Sequence, residues 1–147
     1  WEKAAKGGLY FDGDKAMIQK NKNPKRRYPW GDDAISKGEW KCNCKSEPQF
    51  GDRSPSPVGT YTHGISPYRC LDMLGNVWEW CNDWYNDTYY QSCPSGNPRG
   101  PRGGSGRVIR GGAWNCEHRF VSTTFRAWME PDQWWNVIGF RTILELK

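Results

Sequence analysis

Apolar and polar residues follow no single period along most of this chain, and the densest apolar stretch is the least regular. In residues 71–85, apolar side chains fall at positions 71, 73, 74, 77, 78, 80, 84 and 85. This order matches neither the helical nor the strand repeat. Three Trp, one Tyr and interspersed acidic residues surround Gly75 and Asn76. The pattern predicts a packed, irregular central loop.

Short regular elements are predicted around this loop. Residues 1–8 are typical of the last turns of a helix that a glycine pair ends. Apolar segments typical of strands occupy residues 58–61, 107–110 and 138–146. Residues 9–27 are predicted as an exposed loop, and residues 28–33 as a turn anchored by Trp30. Residues 86–106 are predicted to be irregular.

The composition indicates one small domain with many loops. The chain has 147 residues, of which 27 are glycine or proline (17 Gly and 10 Pro). Hydrophobic residues make up 36% and aromatic residues 15%, including ten Trp. Few aliphatic and many large flat side chains predict a core of aromatic rings wedged between loops.

The net charge of +5 invites a nucleic-acid interpretation, because basic residues concentrate in residues 15–27. No aromatic stacking platform is interleaved with them, so we expect a solvated loop and no nucleic-acid partner. No apolar run has the length of a membrane span, and no signal-peptide pattern opens the chain. The sequence leaves the cellular location undetermined.

The acidic residues of the central loop allow two interpretations. Asp72, Glu79 and the carbonyls freed at a turn through Gly75 and Asn76 are oxygen ligands of the kind that Ca²⁺ prefers. Alternatively, the acids pair with arginines in a packed aromatic corner. The residues alone leave both interpretations open.

Motifs along the whole chain resemble the formylglycine-generating enzyme (sulfatase-modifying factor) family. The central one is DMLGNVWEW at residues 72–80. The others, in the family's order, are WEKAAKGG at 1–8, YPWGD at 28–32, PVG at 57–59, RVIRGGAW at 107–114, Arg126, Pro131 and IGFR at 138–141. The resemblance implies an α+β fold of the C-type-lectin-like kind, mostly irregular, with short strands and few helices.

The resemblance also bears on the extent of the domain and on its calcium sites. Residues 1–147 are expected to match a single domain that lacks the family's N-terminal portion. The chain would then be a fragment, or a shortened variant whose missing strands are dispensable or supplied by a partner chain. The implied structural Ca²⁺ ligands are the Asp72 and Glu79 side chains with the Gly75 and Val77 carbonyls. A second calcium site would take Asn43 and Asp52. Arg126 and Arg141 are expected as buried partners of acids such as Glu79 or Asp83.

The cysteines decide between enzyme and binding module. The even count of six leaves the disulfide pairing undetermined. Family enzymes bind Cu(I) through two cysteines five residues apart, and these positions fall on Cys116 and Val121. Because valine offers no sulfur, we expect the oxidase chemistry to be absent. Under the alternative, Cys116 is the catalytic residue of a copper-dependent oxidase that converts sulfatase cysteines to formylglycine.

The segment 115–137 is the predicted ligand-binding surface of a non-catalytic module for an unidentified protein or small molecule. Its aromatic, small polar and charged residues fit a binding surface, although packing in an aromatic core is the alternative. The layout is similar to variable proteins of diversity-generating retroelements. The predicted contact residues are Asn115, Glu117, His118, Phe120, Ser122, Phe125, Trp128, Glu130, Trp134 and Trp135.

Overall fold

The computed structural model describes residues 1–8, 10–11, 19–33, 41–45, 54–95 and 98–144. It opens with helix α1 at Glu2–Lys6, which stops at Gly7. Gly7 has a φ of 80°, a conformation that glycine adopts without a steric penalty. The predicted helix end with its glycine stop is therefore confirmed.

A two-stranded antiparallel ribbon follows α1 in the chain. Strand β1 is Tyr10–Phe11 and strand β2 is Gln19–Lys20. The prediction of a continuous exposed loop over residues 9–27 is wrong at these strands. Asn21 is also buried there, and its side chain donates a hydrogen bond to the Gly8 carbonyl at 2.7 Å.

The main sheet has four strands in the order β5-β4-β3-β6. Its members are β3 (Trp78–Trp84), β4 (Arg107–Arg110), β5 (Arg126–Met129) and β6 (Ile138–Gly139). Strands β3, β4 and β5 pair antiparallel, whereas β6 runs parallel to β3. Single 3₁₀ turns lie between strands at Thr62–Gly64, Tyr89–Gln91 and His118–Phe120.

Strand β3 corrects the prediction that all of residues 71–85 are irregular. Residues 71–77 are irregular, but β3 is the strand that pairs with both β4 and β6. The register between β3 and β4 shifts between Trp80 and Trp84. Such an irregularity breaks the two-residue alternation, so the sequence period does not reveal the strand.

The three strand predictions have different outcomes. Residues 107–110 form β4, as predicted. Residues 58–61 contain a turn, in which Gly59 has a φ of 79°. In the last segment only the first two residues pair as β6, and the apolar Phe140, Ile143 and Leu144 are 75–86% exposed. Leu146 lies outside the described residues.

The core is built mainly from loop residues. Tyr28, Cys42, Cys44, Leu74 and Val121 form one buried cluster, with Trp1, Trp30 and Cys116 packed against it. The rings of Tyr28 and Trp30 stack with centroids 5.1 Å apart, which confirms the predicted turn anchored by Trp30. None of the helices in the described part of the chain is long and apolar enough to span a membrane.

Candidate functional site

The Glu79 carboxylate, in strand β3, forms the ion pair that lies next to the central loop. It is buried and accepts hydrogen bonds from the Trp1 indole at 2.7 Å and from Arg141 Nε at 2.6 Å. Arg141 Nη2 completes an ion pair with the second carboxylate oxygen. The hydrogen bonds that Arg141 donates to the Glu79 carboxylate raise the Arg141 pKa. The prediction that Arg141 partners an acid such as Glu79 or Asp83 is therefore confirmed, and the acid is Glu79.

The central loop and this ion pair share one cleft. Arg141 Nη2 also donates to the Leu71 and Asp72 carbonyls, both at 3.2 Å. The Asp72 carboxylate accepts the Gly59 N–H at 2.7 Å. The cleft has a volume of about 420 Å³, and its lining includes Asp72, Val77, Glu79 and Arg141. Three of the four residues predicted for the central calcium site therefore line one cleft.

Gly75 and Asn43 lie where the central loop meets residues 41–45. The Asn43 carbonyl accepts the Asn76 N–H at 2.8 Å, and the Asn43 side chain donates to the Ser54 carbonyl at 3.0 Å. A side chain at position 75 would begin 2.2 Å from the Asn43 carbonyl oxygen, so only glycine fits. Asp52, predicted to share a calcium site with Asn43, lies outside the described residues.

Arg126 does not bind the acids predicted for it. Its guanidinium lies over the rings of Tyr85 and Tyr90, 5.2 and 4.4 Å from their centroids, and it donates to the Asn86 carbonyl. The prediction that Arg126 partners Glu79 or Asp83 is wrong, because Arg141 already occupies Glu79. Arg110 forms a partly buried ion pair with Glu2 of α1, which the sequence did not predict.

The residues predicted as ligand contacts differ in exposure. Exposed ones are Asn115, Glu117, Trp128, Glu130, Trp134 and Trp135, whereas His118, Phe120 and Phe125 are half-buried. Phe125 packs against Phe120 and Trp78, with centroids 5.3 and 6.0 Å apart. Ser122 is buried, and its hydroxyl accepts the Phe125 N–H. Ser122 therefore shapes the loop from beneath and is not on the surface.

An aromatic cluster adjoins the exposed Trp128. Trp128 packs against Tyr85 with centroids 6.3 Å apart, and Arg126 bridges Tyr85 and the exposed Tyr90. From the sequence, Tyr85 is predicted only as the end of the central loop, and no role is predicted for Tyr90. The tyrosines close together in this part of the sequence were the available indication of an aromatic cluster. Only the fold shows which strand Tyr85 and Tyr90 face.

His118 packs its ring against Tyr28, with centroids 5.8 Å apart. Its Nε2 is buried, and no hydrogen-bond partner for this atom occurs among the described residues. Burial, reinforced by the positive charge of Arg27, lowers the His118 pKa. The lowered pKa favours the neutral form of the His118 side chain, which packs near the start of the 115–137 segment.

Cys116 is half-buried, and Val121 is fully buried in the neighbouring core cluster. Burial raises the Cys116 pKa despite hydrogen bonds from Ala113 and Trp78. Cys42 and Cys44 belong to the core cluster that Cys116 packs against. The Cys116 carbonyl also accepts the N–H of Lys45, the residue that follows Cys44. The sequence does not reveal this neighbourhood, since the two segments are distant in the chain.

The residues at the family's copper positions do not match a two-thiolate Cu(I) site, because Val121 supplies no donor atom. Among the described residues, no group of three or more His, Cys, Asp or Glu side chains is arranged to hold a metal ion. We therefore derive no reaction step through copper.

A mixed sheet with short helices and long irregular connections defines a C-type-lectin-like α+β domain, as predicted. The chain belongs to the family described as the sulfatase-modifying factor enzyme 1-like domain, whose model matches residues 1–146. A formylglycine-generating enzyme from Streptomyces coelicolor is 34% identical over 96% of this chain. That match covers 43% of the enzyme, so this chain spans less than half of its relative's length.

Two solved structures share the fold. Treponema denticola variable protein 1 superposes with a TM-score of 0.56 and 28% identity, over 68% of this chain and 34% of that one. PvdO from Pseudomonas aeruginosa superposes with a TM-score of 0.60 and 25% identity, over 74% of this chain and 42% of that one. The scaffold is therefore similar to that of an enzyme family and to that of a variable protein.

Proposed function

We propose that this chain is a non-catalytic binding module that presents residues 115–137 to a ligand. The observation that carries the proposal is the exposure of large aromatic side chains on this segment. Trp134 is 87% exposed, Trp135 58% and Trp128 50%. Exposing a large tryptophan ring to water is energetically unfavourable. Tryptophan is also enriched among the interface residues that contribute most of the binding energy.

The environment of Trp128 supports this proposal. The Tyr85 ring packs against the Trp128 ring at a tilt, and the Arg126 guanidinium lies over the rings of Tyr85 and Tyr90. Rigid aromatic rings and a stacked arginine lose little conformational entropy when a ligand binds. We define the 115–137 surface as the exposed and half-buried predicted contacts, with Ser122 excluded.

The chemistry at Cys116 favours binding over oxidation. Val121 removes one of the family's two copper ligands, and the raised Cys116 pKa leaves the thiol protonated near neutral pH. The family membership itself is compatible with either role. The similarity to Treponema denticola variable protein 1 adds support for a binding role on this fold.

Calcium at the central loop stays a proposal about the scaffold. Asp72, Val77 and Glu79 line one cleft, which supports it. However, Glu79 already has Trp1 and Arg141 as donors. A bound Ca²⁺ would therefore use Asp72 and the loop carbonyls, or compete with Arg141 for Glu79.

The binding role is tested by selecting a displayed random-peptide library on the immobilised chain. The selected peptides are then measured against a variant with Trp128, Trp134 and Trp135 all changed to Ser. A matched control changes three exposed residues elsewhere to Ser: Val58, Ile143 and Leu144. We expect at least a tenfold loss of affinity in the tryptophan variant alone. Equal losses in both variants would contradict the proposed surface.

The oxidase alternative is tested separately by anaerobic Cu(I) titration, followed by assay with O₂ on a Cys-x-Pro-x-Arg peptide. We expect no formylglycine product from the wild-type chain. Product formation that is lost in Cys116→Ser would refute the binding-module proposal.

A further inference from the structure

Three thiols from two distant segments meet at the core. Cys42 and Cys44 are each 2% exposed and belong to the cluster formed with Tyr28, Leu74 and Val121. Cys116 packs against the same cluster from the start of the 115–137 segment.

The backbone fixes the distance between the two segments at Cys44 and Cys116. The Lys45 N–H donates to the Cys116 carbonyl at 3.0 Å. Each of the two cysteine Cα atoms lies only two covalent bonds from one end of this hydrogen bond. This arrangement brings the Cα atoms towards the roughly 4.4–6.8 Å separation that disulfides span.

The segment that carries Cys44 is held firmly in place. The Asn43 carbonyl accepts the Asn76 N–H at 2.8 Å, and the Asn43 side chain donates to the Ser54 carbonyl. The two thiols are close enough for a negative charge on Cys44 to raise the Cys116 pKa. Cys44 is also the cysteine that directly precedes Lys45, whose N–H donates to the Cys116 carbonyl.

We propose that Cys44 and Cys116 form a reversible disulfide when the protein meets a low-molecular-weight disulfide such as oxidised glutathione. The half-buried Cys116 thiolate attacks one glutathione sulfur and releases one reduced glutathione. The Cys44 thiolate then attacks the Cys116 sulfur of the mixed disulfide and releases the second. The two protein thiols lose two protons and two electrons, and oxidised glutathione becomes two reduced molecules.

The disulfide would link the start of the 115–137 segment covalently to the core. Cys116 lies between Asn115 and Glu117, which are exposed, whereas Cys44 sits in the fixed segment below. The oxidised form would hold this end of the segment more rigidly than the reduced form. The proposal does not depend on the identity of any ligand, nor on whether the 115–137 surface binds one.

The test equilibrates the folded, reduced chain with oxidised and reduced glutathione at several ratios, traps remaining thiols with N-ethylmaleimide, and digests with trypsin without reduction. Trypsin releases residues 42–45 (CNCK) and residues 111–119 (GGAWNCEHR) as separate peptides. We expect these two peptides to be joined, with fragment ions that place the bond on Cys44. Thermal unfolding should shift upwards by on the order of 10 °C in the oxidised form.

Cys42→Ser and Cys44→Ser are matched variants two residues apart. We expect the joined peptide to persist in Cys42→Ser and to fall at least tenfold in Cys44→Ser. If a variant fails to fold by circular dichroism, the fragment ions of the wild-type peptide decide the assignment. A bond on Cys42, a crosslink found only in urea, or glutathione retained on Cys116 without a crosslink would each overturn the proposal.

Discussion

Replacing Arg141 with Ala should expose how much the buried ion pair beneath the central loop contributes to stability. The Glu79 side chain is 8% exposed and that of Arg141 33% exposed. Without Arg141, the Glu79 carboxylate keeps the Trp1 indole as a donor but loses the guanidinium that forms its ion pair. A buried charge left without its partner is strongly destabilising.

The magnitude follows from burial. Breaking a buried pair costs about 3–5 kcal/mol. Because Arg141 is one-third exposed, water reaches its side of the pair and screens it, so we expect the lower end of that range, about 3 kcal/mol. For a domain of this length, that corresponds to a fall in Tm of roughly 6–12 °C.

The assay is urea and thermal unfolding followed by far-UV circular dichroism at pH 7. The matched control is Arg119→Ala, which breaks the exposed pair with Glu117 (side chains 71% and 51% exposed). We expect that control to lose less than about 0.5 kcal/mol. A loss in Arg141→Ala of the same size as in the control would refute the reasoning.

A double-mutant cycle separates the pair from the packing of the arginine side chain. Glu79→Gln keeps the shape of the carboxylate but removes its charge. If the charge is responsible, Arg141→Ala should cost about 2 kcal/mol less in the Glu79→Gln background than in the wild type. Equal costs in both backgrounds would assign the effect to packing alone.

Three further predictions concern calcium and two titrating side chains. EGTA should lower the Tm of the calcium-loaded wild type but leave Asp72→Asn unchanged, and no shift in the wild type would count against the central-loop site. Burial raises the Cys81 pKa to about 11, so iodoacetamide should alkylate Cys81 at pH 8 on the order of 100-fold more slowly than it alkylates glutathione; comparable rates would contradict this. The folded state disfavours protonation of His118, so stability should fall as the pH drops below about 6.5. His118→Gln should weaken this pH dependence, and an unchanged urea-midpoint profile from pH 7.5 to 5 would rule the effect out.

Strands β3 and β6 show where the hydrophobic pattern of the sequence fails to predict secondary structure. β3 was missed because a register shift between Trp80 and Trp84 interrupts the alternation. The strand predicted over 138–146 was too long, because within the described residues 138–144 only Ile138 and Gly139 pair with a strand, next to Trp78 and Glu79. Whether a short apolar segment becomes a strand depends on an available neighbour, which the segment itself does not encode.

The sequence by itself determined the family and its fold, the glycine stop after α1 and strand β4. These features rest on ordered motifs or on local chemistry such as the conformations open to glycine. Only the tertiary structure decided that Arg126 stacks on tyrosines, that Ser122 is buried and that Cys44 lies beside Cys116. Each of these depends on how irregular loops from distant parts of the chain pack together, and no local period records that packing.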